Sequence, residues 1–179
     1  MVGRHGGQSG KLALGGILAS GALVMLWLAG VAPSGRLGLT AVGGLFPMVA
    51  TLTAGRKVGY LCWSTAGLLG LVILPDKGTA LLFLIFFGLY PVLKGAIESL
   101  RHLPLEWALK LVCFNAVLTI SWFMFRGLFL PNPPQWLEEN SLLLYGLGNV
   151  VFVMYDIGLS RLIAMLQVSL GFGHRGGRK

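Results

Sequence analysis

Six apolar stretches, at residues 12–32, 37–54, 58–74, 78–97, 107–125 and from 141 to about 170, are separated by short polar segments. Spanning the ~30 Å hydrocarbon core of a bilayer takes about 20 residues of helix. A helix also satisfies its backbone polar groups internally, as lipid requires. With 55% of its 179 residues hydrophobic and 11% charged, the chain is far from the ~25% charge of soluble domains, and its mean hydropathy is +0.79. The expected fold is all-α, an integral membrane bundle of six transmembrane helices. The spans fill one domain at residues 12–170, after a cytoplasmic lead at 1–11 and before a basic, disordered tail at 171–179.

The first run has the small residues Gly30 and Ala32 near its end, as a signal peptide would. Its apolar core is longer than the usual 7–15 residues or so, and further spans follow, so it reads as an anchor. Pro47 falls inside the second run, where a kink is tolerated because neighbouring groups can satisfy the freed carbonyl. Pro75-Asp76-Lys77 is a tight polar turn, and residues 126–140, with Pro131, Pro133 and Pro134, form the longest loop. The last run exceeds the bilayer core at about 1.5 Å per residue, so it tilts or extends past it.

Positive charge chooses a side. On the side of the N-terminus lie Arg4, Lys11, Arg56, Lys57, Lys94, Arg101, Lys110, Arg161, Arg175, Arg178 and Lys179, against Arg36, Lys77 and Arg126 on the other. The positive-inside rule then places both termini in the cytoplasm of a cell-membrane protein. This distribution also explains the net charge of +8 without a nucleic-acid partner. Cys62 and Cys113 sit in apolar runs without metal-ligand spacing, as small core residues do. His5, His102 and His174 lie in tails or connections, and no HExxH, GxSxG or Walker A sequence occurs. No enzymatic activity, metal site or cofactor is expected, and any ATP-driven step would need another subunit.

Three groups of residues stand out. In the first span, Gly15 and Ala19, and Gly16 and Ser20, repeat at four-residue spacing. Such a small face lets another helix approach closely, either a partner subunit or a neighbour within the bundle. Asp156 lies about halfway along an apolar run, where a carboxylate is expensive and normally paired. With Lys94, Glu98, Lys110 and Arg161 it forms an expected buried ionic cluster, in which Asp156 bonds Lys94 or Lys110. Lys94 and Glu98 share a helix face. The cluster is either a structural lock on three helices or a proton relay or latch. Tyr90, Asn115, Tyr145 and Asn149 are polar groups of the kind that line small-ligand sites among aromatics. Trp63, Trp122 and Trp136 suit an interfacial aromatic belt, and Trp136, in the long outer loop, is the one of them placed to act as a lid.

Phe86-Phe87-Gly88-Leu89-Tyr90-Pro91-Val92-Leu93-Lys94 and Tyr155-Asp156-Ile157-Gly158-Leu159-Ser160-Arg161-Leu162, with the size and six spans, carry a resemblance. The chain resembles the substrate-binding S component of bacterial energy-coupling factor transporters, in particular a group of small uncharacterised members. The resemblance implies binding of a small solute and docking on a transmembrane T subunit with its ATPase subunits. It also implies that Gly15 and Ala19 match the small-residue motif that faces the T subunit, with glycine in place of the first alanine. The loop under which the family binds its ligand is very short here, residues 33–36, and the N-terminal histidine pattern of nickel and cobalt relatives is missing. A six-span scaffold similar to the rod-shape factor MreD, without transport activity, is the alternative expectation.

Overall fold

The computed structural model describes residues 5–100, 102–129 and 141–169. All regular structure among them is helical. In chain order the helices are α1 (His5–Val31), α2 (Arg36–Gly43), α3 (Leu45–Ala54), α4 (Arg56–Ile73), α5 (Lys77–Leu82), α6 (Leu89–Ile97), α7 (Leu103–Phe129) and α8 (Ser141–Ser169). A π-helical turn, Phe83–Phe87, joins α5 to α6, and a 3₁₀ turn, Glu98–Leu100, follows α6. The chain divides into two compact units, Met1–Asn132 and Pro133–Lys179. The first holds α1 to α7. The described part of the second is α8.

Five segments are long and apolar enough to cross a membrane: Gly7–Val31, Arg36–Ala54, Lys77–Leu100, Leu103–Phe123 and Leu142–Ser169. They coincide with five of the six expected spans. The sixth, α4, has 18 residues and opens on Arg56 and Lys57, whose charges lower its hydropathy. Its remaining turns carry Leu68, Leu69, Val72 and Ile73 on an exposed face, as a lipid-facing helix would.

Contacts between the helices of the first unit show that successive spans run in opposite directions. Near one end, the Cα of Gly15 on α1 packs against Val58 of α4. At the same end the Arg56 guanidinium donates to the carbonyl of Gly95 on α6, at 3.3 Å. At the other end Gly30 of α1 packs against Asp76, and Asp76 bonds Arg36 at the start of α2. The first end therefore carries Lys11, Arg56, Lys57, Lys94 and Lys110, and the second Arg36 and Lys77, the separation that the sequence pattern predicts.

The core lies between α1, α3, α4 and α5. Ala19, Ala22 and Leu26 of α1 meet Ala50 and Ala54 of α3, Val58, Cys62 and Ala66 of α4, and Ala80 and Phe83. Small residues let these backbones approach closely. Gly59 shows the limit: a Cβ there would collide with the Thr51 side chain. Gly55, at φ 101 and ψ 163, turns α3 directly into α4 in a conformation that L side chains rarely adopt.

Candidate functional site

Two neighbouring spans are interrupted, and the interruptions face each other. The first lies between α2 and α3. Pro47 has no N–H to give to the Gly43 carbonyl one turn back. The Gly44 N–H meanwhile divides itself between Thr40 and Ala41 carbonyls, both at 3.1 Å. The helix thus ends at Gly43 and restarts at Leu45. The second interruption is the π turn. Its wider winding is sealed by the Gly88 N–H donating to the Phe83 carbonyl at 2.8 Å. The Trp63 indole donates to the Leu84 carbonyl at 3.0 Å. The Phe87 carbonyl sits where a Cβ on Gly44 would be. Only glycine fits there, so the two broken backbones touch. π turns recur at functional sites, and irregular backbone in a membrane is tolerated where protein covers it.

Aromatic side chains continue from the π turn to α7. Phe86 stacks on Tyr90 with centroids 5.3 Å apart, and meets Phe114 edge-on at 5.5 Å. Tyr90 is buried. This brings Tyr90 to the part of α7 that carries Asn115, two of the expected solute-binding residues. The Asn115 amide donates to its own helix at the Leu111 carbonyl, 2.8 Å away, and the Thr119 hydroxyl donates to the Asn115 carbonyl. On α8, Asn149 likewise donates to the Tyr145 carbonyl at 2.8 Å. Tyr145, Asn149, Phe152 and Asp156 follow at four- and three-residue spacing and share one face of α8. Trp136 lies outside the described residues.

The ionic cluster forms around Glu98. One carboxylate oxygen, Oε1, accepts from Lys94 Nζ at 2.7 Å and from Lys110 Nζ at 2.8 Å. Lys94 has no exposed side-chain surface, Lys110 has 5%, and Glu98 has 38%. The Lys110 ammonium also lies 5.4 Å from the centroid of the Trp107 ring, within cation–π range. Glu98 belongs to the 3₁₀ turn, so it ties the end of α6 to the first turns of α7. Asp156 and Arg161 belong to α8, in the second unit, where the Ser160 hydroxyl donates to the Asp156 backbone carbonyl at 2.9 Å.

At the opposite end a second ionic group joins the α1–α2 connection to the α4–α5 turn. Asp76 caps α5: its Oδ1 accepts the Gly78 N–H at 3.0 Å and its Oδ2 accepts the Thr79 hydroxyl at 2.6 Å. The same Oδ2 accepts from Arg36 Nη1 at 3.0 Å. Burial raises the tendency of this carboxyl to hold a proton, but Thr79, Arg36 and Gly78 outweigh it and keep it below the ordinary aspartate range. Lys77 turns the other way and caps α4, donating to the carbonyls of Val72 at 3.1 Å and Leu74 at 2.8 Å. Sequence reasoning recognised the polar turn at Asp76 but not its partner, because Arg36 is 40 residues away and no spacing rule links them.

The small face of α1 divides in two. Gly15 and Ala19 are buried against the rest of the first unit, Gly15 against Val58. That pair packs against neighbours within the chain. Gly16 and Ser20 are exposed, nothing lies within 4 Å of a Cβ built on Gly16, and the Ser20 hydroxyl donates to the Gly16 carbonyl at 3.0 Å. Among the described residues, no three His, Cys, Asp or Glu side chains converge as metal ligands.

No family model, curated protein or solved structure matches the chain.

Proposed function

We propose that this chain is the membrane-embedded, solute-binding component of a transport system. Its termini lie in the cytoplasm, and the Lys94–Glu98–Lys110 end faces the same way. The observation that carries the reading is the pair of facing interruptions at Gly43–Gly44 and Phe83–Phe87. Discontinuous helices recur at the substrate sites of transporters. Here they adjoin Tyr90, Phe86 and the Phe114–Asn115 region, an aromatic wall with a few polar groups. Such walls suit small solutes.

The resemblance to S components adds a direction to this reading. An energising module would dock from the cytoplasmic side, and the exposed Gly16 and Ser20 would carry the close contact. A scaffold role is the second reading, favoured by the tight backbone packing of α3 on α4 at Gly59 and of α1 on α4 at Gly15. Native mass spectrometry of the protein purified in mild detergent separates the two. A retained small molecule, lost in Tyr90→Ala while the fold persists, is the expected result. An unliganded protein that co-purifies only with cell-wall machinery would overturn the transport reading.

A further inference from the structure

Packing of α1 on α4 gathers three cations at one end of the first unit. Gly15 of α1 packs against Val58 of α4. Lys11 stands one turn before Gly15 on the same face of α1, and Arg56 and Lys57 immediately precede Val58. All three are exposed. Arg56 reaches on to α6, where it donates to the Gly95 carbonyl at 3.3 Å. That bond is long and uses one of the five N–H groups of the guanidinium. Lys11 and Lys57 make no hydrogen bond or ion pair with any described residue, and no described carboxylate pairs with Arg56. Glu98, at the same end, is committed to Lys94 and Lys110. Topology asks for positive charge on one side of a membrane protein, but not for three cations drawn together by helix packing without a carboxylate. Such charges repel, and an anion among them offsets the repulsion.

The surroundings identify that anion. Lys57 stands at the end of an exposed stripe of α4, in which Leu61, Thr65, Leu68 and Val72 follow it at three- and four-residue spacing. A hydrocarbon chain can lie along this stripe with its charged head at Lys57. Beside Arg56 the surface is bare backbone, because nothing lies within 4 Å of a Cβ built on Gly55 or Gly95. That leaves room for a headgroup. Basic recesses between spans are where anionic lipid headgroups bind. We propose that Lys11, Arg56 and Lys57 hold the phosphate of an anionic phospholipid, whose acyl chain runs along the Leu61–Val72 stripe. The site does not depend on the transport reading and is measured without a solute. Each basic group near an anionic headgroup contributes about fivefold in affinity.

The test is native mass spectrometry of the full chain in mild detergent, titrated with phosphatidylglycerol and, separately, with phosphatidylcholine of the same acyl chains. The wild type should hold phosphatidylglycerol about tenfold or more tighter. Arg56→Gln combined with Lys57→Gln should weaken phosphatidylglycerol about 25-fold and leave phosphatidylcholine unchanged. Gly95→Glu keeps every cation and sets a carboxylate beside Arg56, so it tests the site even where the double variant folds poorly. It should weaken phosphatidylglycerol about fivefold. Arg175→Gln combined with Arg178→Gln removes the same charge from the C-terminal tail and should change nothing. Equal affinity of the wild type for the two lipids, an equal loss in the tail variant, or undiminished binding in Gly95→Glu overturns the site. Inorganic phosphate and glycerol 1-phosphate are titrated in the same way. If either binds as tightly as phosphatidylglycerol and with the same dependence on Arg56 and Lys57, the ligand is a soluble phosphate and the lipid proposal falls.

Discussion

Replacing Glu98 with glutamine is the sharpest test of the ionic cluster. Two ammonium groups meet one oxygen, Lys94 at 2.7 Å and Lys110 at 2.8 Å. They repel each other, and the carboxylate between them offsets that repulsion. Lys94 is wholly buried. Leaving a buried charge without its partner costs about 3–5 kcal/mol. Several features lower that figure here. Glu98 is 38% exposed, glutamine keeps one acceptor oxygen, and both lysines make further interactions. A hydrogen bond to a charged group is worth about 1.5–3 kcal/mol, so Glu98→Gln should destabilise the protein by about 2 kcal/mol. The assay is reversible unfolding by sodium dodecyl sulfate in mixed micelles. Double-mutant cycles with Lys94→Met and with Lys110→Met should each show coupling of about 1 kcal/mol or more. Losses that add within ~0.5 kcal/mol in both cycles would refute the shared-oxygen arrangement.

Three further outcomes follow from the same geometry. Asp76→Asn should cost about 0.5–1 kcal/mol at neutral pH, through the partly buried ion pair with Arg36, since asparagine caps a helix about as well as aspartate. Because the folded carboxyl is held below its ordinary value of 3.8, this contribution is present above that value. It is lost as pH falls through the lower folded one, so the difference between wild type and variant should be the same at pH 5 and pH 7 and shrink only in strong acid. Gly15→Leu should destabilise the fold by about 1–3 kcal/mol by overpacking against Val58, whereas Gly16→Leu should leave unfolding unchanged and, if an energising subunit is bound, weaken its co-purification. Reporter fusions at Lys57 and Arg101 should read cytoplasm, and those at Lys77 and Pro134 the exterior; a cytoplasmic signal at Pro134 would sink the six-span topology.

Much of the architecture is legible in the chain because lipid demands long apolar helices and makes charge within them costly and rare. Lys94 and Glu98 are one helical turn apart, so their pairing can be read directly. Lys110 joins them because a short connection folds α7 back beside α6. The small face of α1 shows why the rest is harder to read. Four-residue spacing identifies two parallel lines of small residues, Gly15–Ala19 and Gly16–Ser20, but their neighbours depend on tertiary packing. One line is closed by Val58, 43 positions further along the chain, and the other stays open. The asparagines are hard to read for a related reason. The Asn115 amide donates to the Leu111 carbonyl one turn back, and four-residue spacing alone does not distinguish that bond from a role toward a ligand.

The two interruptions divide along the same line. Pro47 announces the break in the second span, since a missing N–H is a property of one residue. The π turn has no such marker. Phe83-Leu84-Ile85-Phe86-Phe87 would continue any regular helix. What holds the wider winding lies elsewhere in the chain. Trp63 binds the Leu84 carbonyl from α4, and Gly88 makes room for the rings of Phe83 and Trp63, either of which a Cβ would meet at 2.7 Å. Gly44 admits the Phe87 carbonyl from α2–α3. Trp63, which an interfacial belt would have accounted for, therefore acts inside the bundle as the donor that stabilises an irregular backbone. The glycines at positions 44 and 88 and the tryptophan at position 63 form one device, and a π turn supported from two other helices is specified at a definite place.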